Sequence, residues 1–590
     1  MSVILGLNAY HPDSAACVLV DGVLIAAIAE ERLGNRVKHI SCFPALAIQK
    51  VLALANVSIK EVDWVAIGHD NNANFGRKIR RVIINPLNSI HVIKANLNRR
   101  KTSGTFHEKL AGECGFSLNN CRFQVFNVEH HLAHMASSFF ASPFEKAAGF
   151  TYDGSGDFVS GLYAQCIENN ISILDKVFLP HSLGHFYTGL CQLAGFDRFG
   201  EEYKVMGLSA FGKPVYMDLM KQILSISGNQ YRINSRFIQG IGGKSIEDCV
   251  DEKGEIIQPP MYKKNLIKEF GDPRKRGEEF SQRDKDLAAS MQLHFEEIII
   301  KCLEWLHNNF PTENLVTAGG CSLNGVANSR ILRETPFKQS YIQCAASDDG
   351  TAIGAALYVW HEVLKKPRSF VMDHAYYGSE ASNIEIEASF ENNQLSFEKL
   401  DRQSLLDRVA NFLNQGQIVG WFQGRSEWGP RALGNRSLLA HPGWPGMKEL
   451  INQKIKRRES FRPFAPSILS EEVGNYFEQS LESPFMMHVV KIRQEKRKAL
   501  SAVCHEDYTG RLHTVKKSQN ALYYDLIKTF SELSGTPVVL NTSFNENEPI
   551  VETPEQAISC YLRNDVDVLC IGSYLTSKAH GKPPLTIAKG

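Results

Sequence analysis

Residues 147–178 read AAGFTYDGSGDFVSGLYAQCIENNISILDKVF. An apolar run, AAGFTYD, leads into a small polar loop, GSGDFVS, and then into two further runs, GLYAQCI and ISILDKV, joined by a turn at 168–170. Short runs rich in β-branched and aromatic residues, bounded by Gly, Asn and Asp, read as strands. The same scheme opens the chain over residues 3–31: VILGLN, the loop AYHPDSA, ACVLV, an Asp21-Gly22 turn suited to type I′, and VLIAAIAEE. Strand, small polar loop and hairpin thus occur twice, about 145 residues apart. That duplication predicts an α/β fold of two lobes, the nucleotide-binding arrangement of actin and hexokinase, in which each lobe lends a loop that grips phosphate.

Further along, NLVTAGGCSLNGVAN (314–328) reads as a buried strand, a Gly-Gly turn and a helix, which aims backbone amides at an anion. SDDGTAIGAAL (347–357) repeats the device with Asp348 and Asp349 at its head. Gly242-Gly243-Lys244-Ser245 is not a P-loop, because the motif's first glycine would fall on Ile238. The pattern loosens over residues 365–374, which places a domain boundary at 368/369. The second unit, 369–590, opens with an amphipathic helix (LLDRVANFLNQG) and a strand (QIVGWFQG), and carries the strand TPVVLNTSFN near its end. Between them Arg425, Arg431, Arg436, Lys456, Arg458, Arg462 and Arg511 stand beside Gly, Ser and Pro rather than on regular helix faces. Guanidinium forks in such settings hold phosphate or carboxylate, or else make structural salt bridges.

The stretch NVEHHLAHMASS (127–138) sets His130 and His134 four apart, on one face of a helix, while His131 points elsewhere or adds a contact. Asp153 is the third candidate ligand, and two imidazoles with a carboxylate suit iron(II) or zinc. His181 and His185 share the spacing, but Pro180 and Ser182 read as a helix start that leaves His181 outside.

With 590 residues the chain exceeds one hydrophobic core. Lys plus Arg (65) balance Asp plus Glu (64), so net charge points to neither nucleic acid nor an acidic membrane surface. The segment 77–101 has eight basic residues, with no acidic one between 71 and 107, and reads first as a solvated face. Thirteen cysteines without a CxxC pair fit reduced thiols. The apolar start lacks a basic leader and carries Asn8, His11 and Asp13, so neither signal peptide nor span is expected, and the expected compartment is cytoplasmic.

In order, GLNAYHPDSAA, EERLGNRVKH, VEHHLAHMAS, YDGSGD, EEYKVMGLSAFG, AGGCSLN, SDDGTAIGAA, GRSEWGPRALGNRS, KRRESFRPFAP and LNTSFNENEPIV resemble the O-carbamoyltransferases of nodulation-factor, cephamycin, aminoglycoside and ansamycin biosynthesis. The resemblance spans nearly the whole chain. It implies an actin-like, Kae1-like domain (1–368) followed by a YrdC-like α/β domain (369–590). It implies that carbamoyl phosphate and ATP, with magnesium, form carbamoyl adenylate in the second domain, at Arg431, Lys456, Arg462, Arg511, Asn541 and Ser543. It also implies iron(II), with zinc as a substitute, at His130, His134, Asp153 and Asp348 in the first domain. There Gly319, Gly320 and Asn324 would hold the adenylate while a small hydroxyl-bearing acceptor attacks it. A homodimer is compatible with this reading.

His11 is the candidate general base, because an attacking hydroxyl must lose its proton as the bond forms. The alternative is that it packs or binds phosphate. In the family this histidine is followed at once by Asp; here Pro12 intervenes and Asp13 follows, which leaves open which group orients the imidazole. A tRNA-modifying threonylcarbamoyltransferase joins the same two domain types. Domain order and the balanced charge weigh against it.

Overall fold

The computed structural model describes residues 1–34, 36–84, 106–117, 119, 121–240, 249–252 and 255–578. It is a mixed α/β structure. In the first sheet β1 (Val3–Asn8), β2 (Ala15–Val20) and β3 (Val23–Ala29) run antiparallel, while β4 (Trp64–Ile67) and β5 (Gln124–Asn127) continue it parallel to β1. The order is β3-β2-β1-β4-β5. At the hairpin, Asp21 and Gly22 have φ of 49° and 83°, as a type I′ turn requires.

The second sheet repeats the first strand for strand. β6 (Lys146–Gly156), β7 (Val159–Ile167) and β8 (Asn170–Phe178) are antiparallel. β9 (Leu224–Ser227) and β10 (Gln230–Ile233) form a small hairpin outside it. β11 (Asn314–Ala318) and β12 (Gln339–Tyr341) lie parallel to β6, giving the order β12-β11-β6-β7-β8. The duplication legible in the two hairpins is therefore a duplication of whole sheets. One detail departs from expectation: GSG is not a loop but the irregular end of β6, with the turn confined to Asp157 and Phe158. The cause lies in partners distant in sequence, since the Asp157 carboxylate accepts from the backbone N–H groups of Asp70 and His130 and pins the hairpin tip.

Two helices join the lobes by exchange. α1 (His130–Phe139) follows β5 of the first sheet but packs on β6 and β11 of the second. α2 (Gly350–Tyr358) follows β12 of the second but packs on β1, β2 and β4 of the first. They cross so closely that a Cβ on Gly354 would lie 1.8 Å from the Ala133 carbonyl oxygen. The start of α1, the residues just before α2 and the end of β6 consequently meet.

Nine strands form the third sheet: β13 (Glu398–Lys399), β14 (Val419–Phe422), β15 (Arg436–Ala440), β16 (Ala465–Leu469), β17 (His488–Lys491), β18 (Thr509–Val515), β19 (Val538–Ser543), β20 (Val568–Ile571) and β21 (Tyr574–Ser577). Its order, β13-β21-β20-β14-β15-β19-β16-β18-β17, mixes parallel and antiparallel pairs. The apolar cluster that holds Ile4, Ala133 and Ala355 also takes in Trp428, Phe485 and Met487, so the carboxy-terminal part shares a core with the lobes. Of the basic segment, residues 77–84 belong to the helix Phe75–Ile84; 85–101 and Gly242 to Ser245 lie outside the described residues.

Candidate metal centre and arginine cluster

α1 begins at His130, with Glu129 as its cap: the carboxylate accepts from the Leu132 N–H, which satisfies one of the helix's free amides. The helix face toward β6 then carries His130 and His134, both fully buried. Their Nε2 atoms are 3.0 Å apart, and Asp153 Oδ2 from β6 lies 3.2 Å from His134 Nε2 and 3.7 Å from His130 Nε2. Asp348, just before α2, places Oδ1 at 3.4 and 3.5 Å from the same two nitrogens. The four donor atoms all lie within 4.8 Å of one another. An ion with ligands at about 2.1 Å has donor-to-donor edges of about 3.0–3.4 Å, so the spacing suits one, and two imidazoles with two carboxylates suit iron(II) or zinc. His131 looks away, bonded to Thr151 and to the Val159 carbonyl. Burial and the two neighbouring imidazoles hold it well below its usual pKa, hence neutral.

Electrostatically the four groups answer one another. Burial opposes charge on His134, yet hydrogen bonds and attraction from Asp153 and Asp348 raise it to about 9. Asp153 is held well below the usual carboxylate range, because its bonds to His130 and His134 outweigh the effect of burial.

His11 sits on the β1 loop with its ring 5.3 Å from that of His130 and 5.6 Å from that of His69. Its Nδ1 is 3.6 Å from Asp348 Oδ2. The carboxylate beside the His11 ring is thus that of Asp348, from the other lobe. Asp13 turns instead to His39, with Oδ1 2.6 Å from Nδ1. Asp13, Glu31 and His39 also approach one another as a ligand set would. They are already bonded among themselves, however, since Glu31 accepts the His39 backbone N–H at 2.7 Å. The decoy pair behaves as expected, with Ser182 capping Leu183–Leu193 and His181 outside that helix.

The glycine turn after β11 has Gly319 at φ 97°, where a Cβ would meet the Tyr152 carbonyl oxygen at 2.3 Å. Gly320 lies beside Asp153, so the turn borders the histidine cluster. The Asn324 side chain is committed: it caps the helix Gly325–Glu334 and donates to Gln292.

In the carboxy-terminal part the cations divide. Arg436 spends its guanidinium on the carbonyls of Gln423, Gly424, Asn435 and Ser379, and Arg425 on those of Gly378, Ile25 and Tyr377. These two hold loops, not oxyanions, because a buried irregular segment must satisfy its own carbonyls. Lys456 is similarly bonded, to Ser543 and to both oxygens of Asn545, at 2.5–3.2 Å. Arg431 donates to the Leu323 carbonyl at 3.2 Å, while its Nε and Arg511 Nη1 are buried without a partner among the described residues. Arg462 reaches the Tyr203 hydroxyl of the amino-terminal part at 2.6 Å. Asn541 donates to Ala432 and Ser467, with its own Oδ1 unpartnered, and the Ser543 hydroxyl donates to Asn545. Burial, aggravated by Arg511, holds Arg431 well below its usual pKa; burial with Arg462 brings Arg458 to about 9, and burial alone brings Arg511 to about 10. Cations so crowded mark a place where an anion is wanted.

His39, Ser347, Asp157 and Tyr203 were not singled out by sequence reading, and Asp13 was noted as the residue that follows Pro12 without a partner being assigned to it. All five lie inside stretches quoted above as motifs, and only their side-chain partners reveal what they do.

Fold and site together define a two-centre α/β protein, with a histidine–carboxylate cluster between duplicated lobes and a buried arginine cluster beside a third sheet. The chain matches the family profile described as Carbamoyltransferase N-terminus over residues 3–357 and the one described as Carbamoyltransferase C-terminus over residues 410–578, and it belongs to the O-carbamoyltransferase family. It is 35% identical over 585 residues to the nodulation protein NolNO of Sinorhizobium fredii, covering 98% of this chain and 80% of that one. Over 233 residues it is 33% identical to the 3'-hydroxymethylcephem-O-carbamoyltransferase of Amycolatopsis lactamdurans, covering 40% and 42% of the two chains. Among solved structures, HypF of T. kodakarensis aligns with 62% of this chain and 48% of its own at 13% identity and a TM-score of 0.31. No helix among the described residues is long and apolar enough to cross a membrane.

Proposed function

We propose that the protein transfers a carbamoyl group to a hydroxyl of a small molecule, in two sites on two domains, an actin-like one (1–368) and a YrdC-like one (369–590). In the second domain carbamoyl phosphate is hydrolysed by water to carbamate and inorganic phosphate. The carbamate oxygen then attacks the α-phosphorus of ATP, expelling pyrophosphate and leaving carbamoyl adenylate. Arg431, Arg462 and Arg511 neutralise the phosphates, while Lys456, Asn541 and Ser543 shape the loop that receives them. What supports this assignment is the excess of buried, mutually repelling cations, which an anionic substrate relieves.

The adenylate is consumed in the first domain. His11 takes the proton of the attacking hydroxyl, Asp348 keeps its imidazole oriented, and the turn at Gly319 and Gly320, whose Gly319 N–H is held by the Ala346 carbonyl, offers the adenylate a surface free of side chains. His130, His134, Asp153 and Asp348 would hold iron(II) or zinc, which when bound supplies Lewis acidity toward the carbonyl and the leaving phosphate. Attack on the carbonyl forms the new C–O bond, the C–O bond to the phosphate breaks, and AMP leaves.

The observation that carries this reading is His11 standing at 3.6 Å from a carboxylate that also belongs to the histidine cluster, so base and cation site share one cleft. The test is to incubate the purified protein with ATP and carbamoyl phosphate and follow pyrophosphate, phosphate and AMP. Release that needs both substrates supports the reading. ATP turnover without carbamoyl phosphate would point to an actin-like ATPase instead.

A further inference from the structure

The motif EERLGNRVKH, which the proposed chemistry leaves idle, ends in His39, and partners from both lobes meet at that side chain. Its Nδ1 bonds Asp13 Oδ1 at 2.6 Å, and its backbone N–H is held by Glu31. The rest of its ring is caged by the second lobe. Phe199 stands edge-on with centroids 5.4 Å apart, and a Cβ on Gly200 would lie 2.1 Å from His39 Nε2. Gly200 has φ 79° and immediately precedes EEYKVMG, so its lack of a side chain makes the slot. The second oxygen of Asp13 crosses the cleft: Oδ2 accepts from the Ser347 hydroxyl at 3.0 Å.

Sequence adjacency gives the contact its consequence. Asp13 is two residues after His11, and Ser347 is the residue before Asp348. The loop between them and β1 is laced down along its length. Asn8 holds the carbonyls of Pro12 and Asp13, Tyr10 N–H bonds the Cys42 carbonyl, and Ser14 N–H bonds that of Ile40. Asp13 itself sits at φ 58°, a conformation such a non-glycine residue keeps only when its surroundings impose it. One carboxylate therefore ties the loop carrying His11 in the first lobe to the turn carrying Asp348 in the second.

We propose that the His39–Asp13–Ser347 chain is the positioning device of the transfer site, setting the separation of His11 and Asp348. Neither Asp13 nor His39 touches the reacting atoms in this arrangement. The proposal rests on the functional reading above, so its test keeps the two distinguishable. The probe reaction is solvolysis of supplied carbamoyl adenylate by water and by methanol, followed as AMP and methyl carbamate. Asp13→Asn should lower kcat about a hundredfold, the scale of a misplacement near 1 Å, with KM for the adenylate within about twofold of wild type. Ser347→Ala should give a smaller loss, and His39→Gln, which can still donate to Asp13, should recover most of what His39→Ala loses. In the Asp13→Asn background His11→Asn should cost less than it does in the wild type, since the base is already displaced. Thermal unfolding, metal content and carbamoyl-phosphate-dependent pyrophosphate release are measured on each variant to exclude misfolding. A full-rate Asp13→Asn enzyme, or losses in Asp13→Asn and His11→Asn that simply add, overturns the positioning role. If the wild type accelerates neither solvolysis, the functional reading itself falls.

Discussion

The two charged clusters are built on opposite principles. Around His130 and His134 two imidazoles face two carboxylates, which raise His134 to about 9 and leave Asp153 well below the usual carboxylate range despite burial. Around Arg431 and Arg511 the signs repeat, with Arg458 and Arg462 close by and Glu459 as a paired carboxylate at the edge. The first cluster balances its cationic and anionic groups against one another. The second gathers buried cations with few carboxylates to answer them.

The largest effect that could break this contrast lies in the first cluster. His11→Asn should cut transfer by about two to four powers of ten, the usual worth of a general base, while pyrophosphate release continues at the wild-type rate. His134→Ala should lose the bound ion, read by elemental analysis, again without touching pyrophosphate release. Equal losses of both half-reactions would mean that the clusters do not act separately.

The second cluster should respond in the other half-reaction. Arg511→Ala should slow pyrophosphate release about tenfold to a hundredfold, the range for removing a hydrogen bond to a charged group, and leave solvolysis of supplied adenylate alone. Because the cations repel one another, an anion should also stabilise the protein. Carbamoyl phosphate at about a hundred times its Kd adds about 2.7 kcal/mol to unfolding, visible as a raised Tm. The same addition to Arg511→Ala should do far less at equal concentration, and an unchanged wild-type Tm would contradict the idea of missing charge.

Local chemistry was the legible part of this chain. The hairpin turn at Asp21-Gly22, the strand–turn–helix after Asn314 and the helical pair His130 and His134 all follow from neighbours in sequence, where propensity and spacing decide. What could not be read is what depends on distant partners. Nothing in GSGD announces that Asp157 pins the tip of its hairpin to the amides of Asp70 and His130. Arg425 and Arg436 looked like oxyanion holders because loop arginines are good at that task; only the fold shows their forks filled by carbonyls. Pro12 blurred the partner of His11 for the same reason, since Asp348 arrives from the opposite lobe, 337 positions on.

The smallest expected effect tests whether the His39–Asp13 pair inside the first lobe is a charge pair that adds to stability. Burial works against a positive His39, but the charge and hydrogen bond of Asp13, helped by Glu31, raise it to about 9 from an ordinary 6.5. A histidine whose folded pKa is raised binds its proton more tightly in the folded state. Its contribution is therefore fully present below about pH 6.5 and fades as pH rises toward about 9. The side chain is 28% exposed, so screening trims the effect to about 1–2 kcal/mol. Many other groups titrate in that window, and the difference between wild type and His39→Gln is what isolates this one. Denaturant unfolding at pH 6 and pH 9.5 should show the wild type losing that increment relative to the variant, whose glutamine cannot titrate. If the two proteins lose stability in parallel, the His39–Asp13 contact is a neutral hydrogen bond.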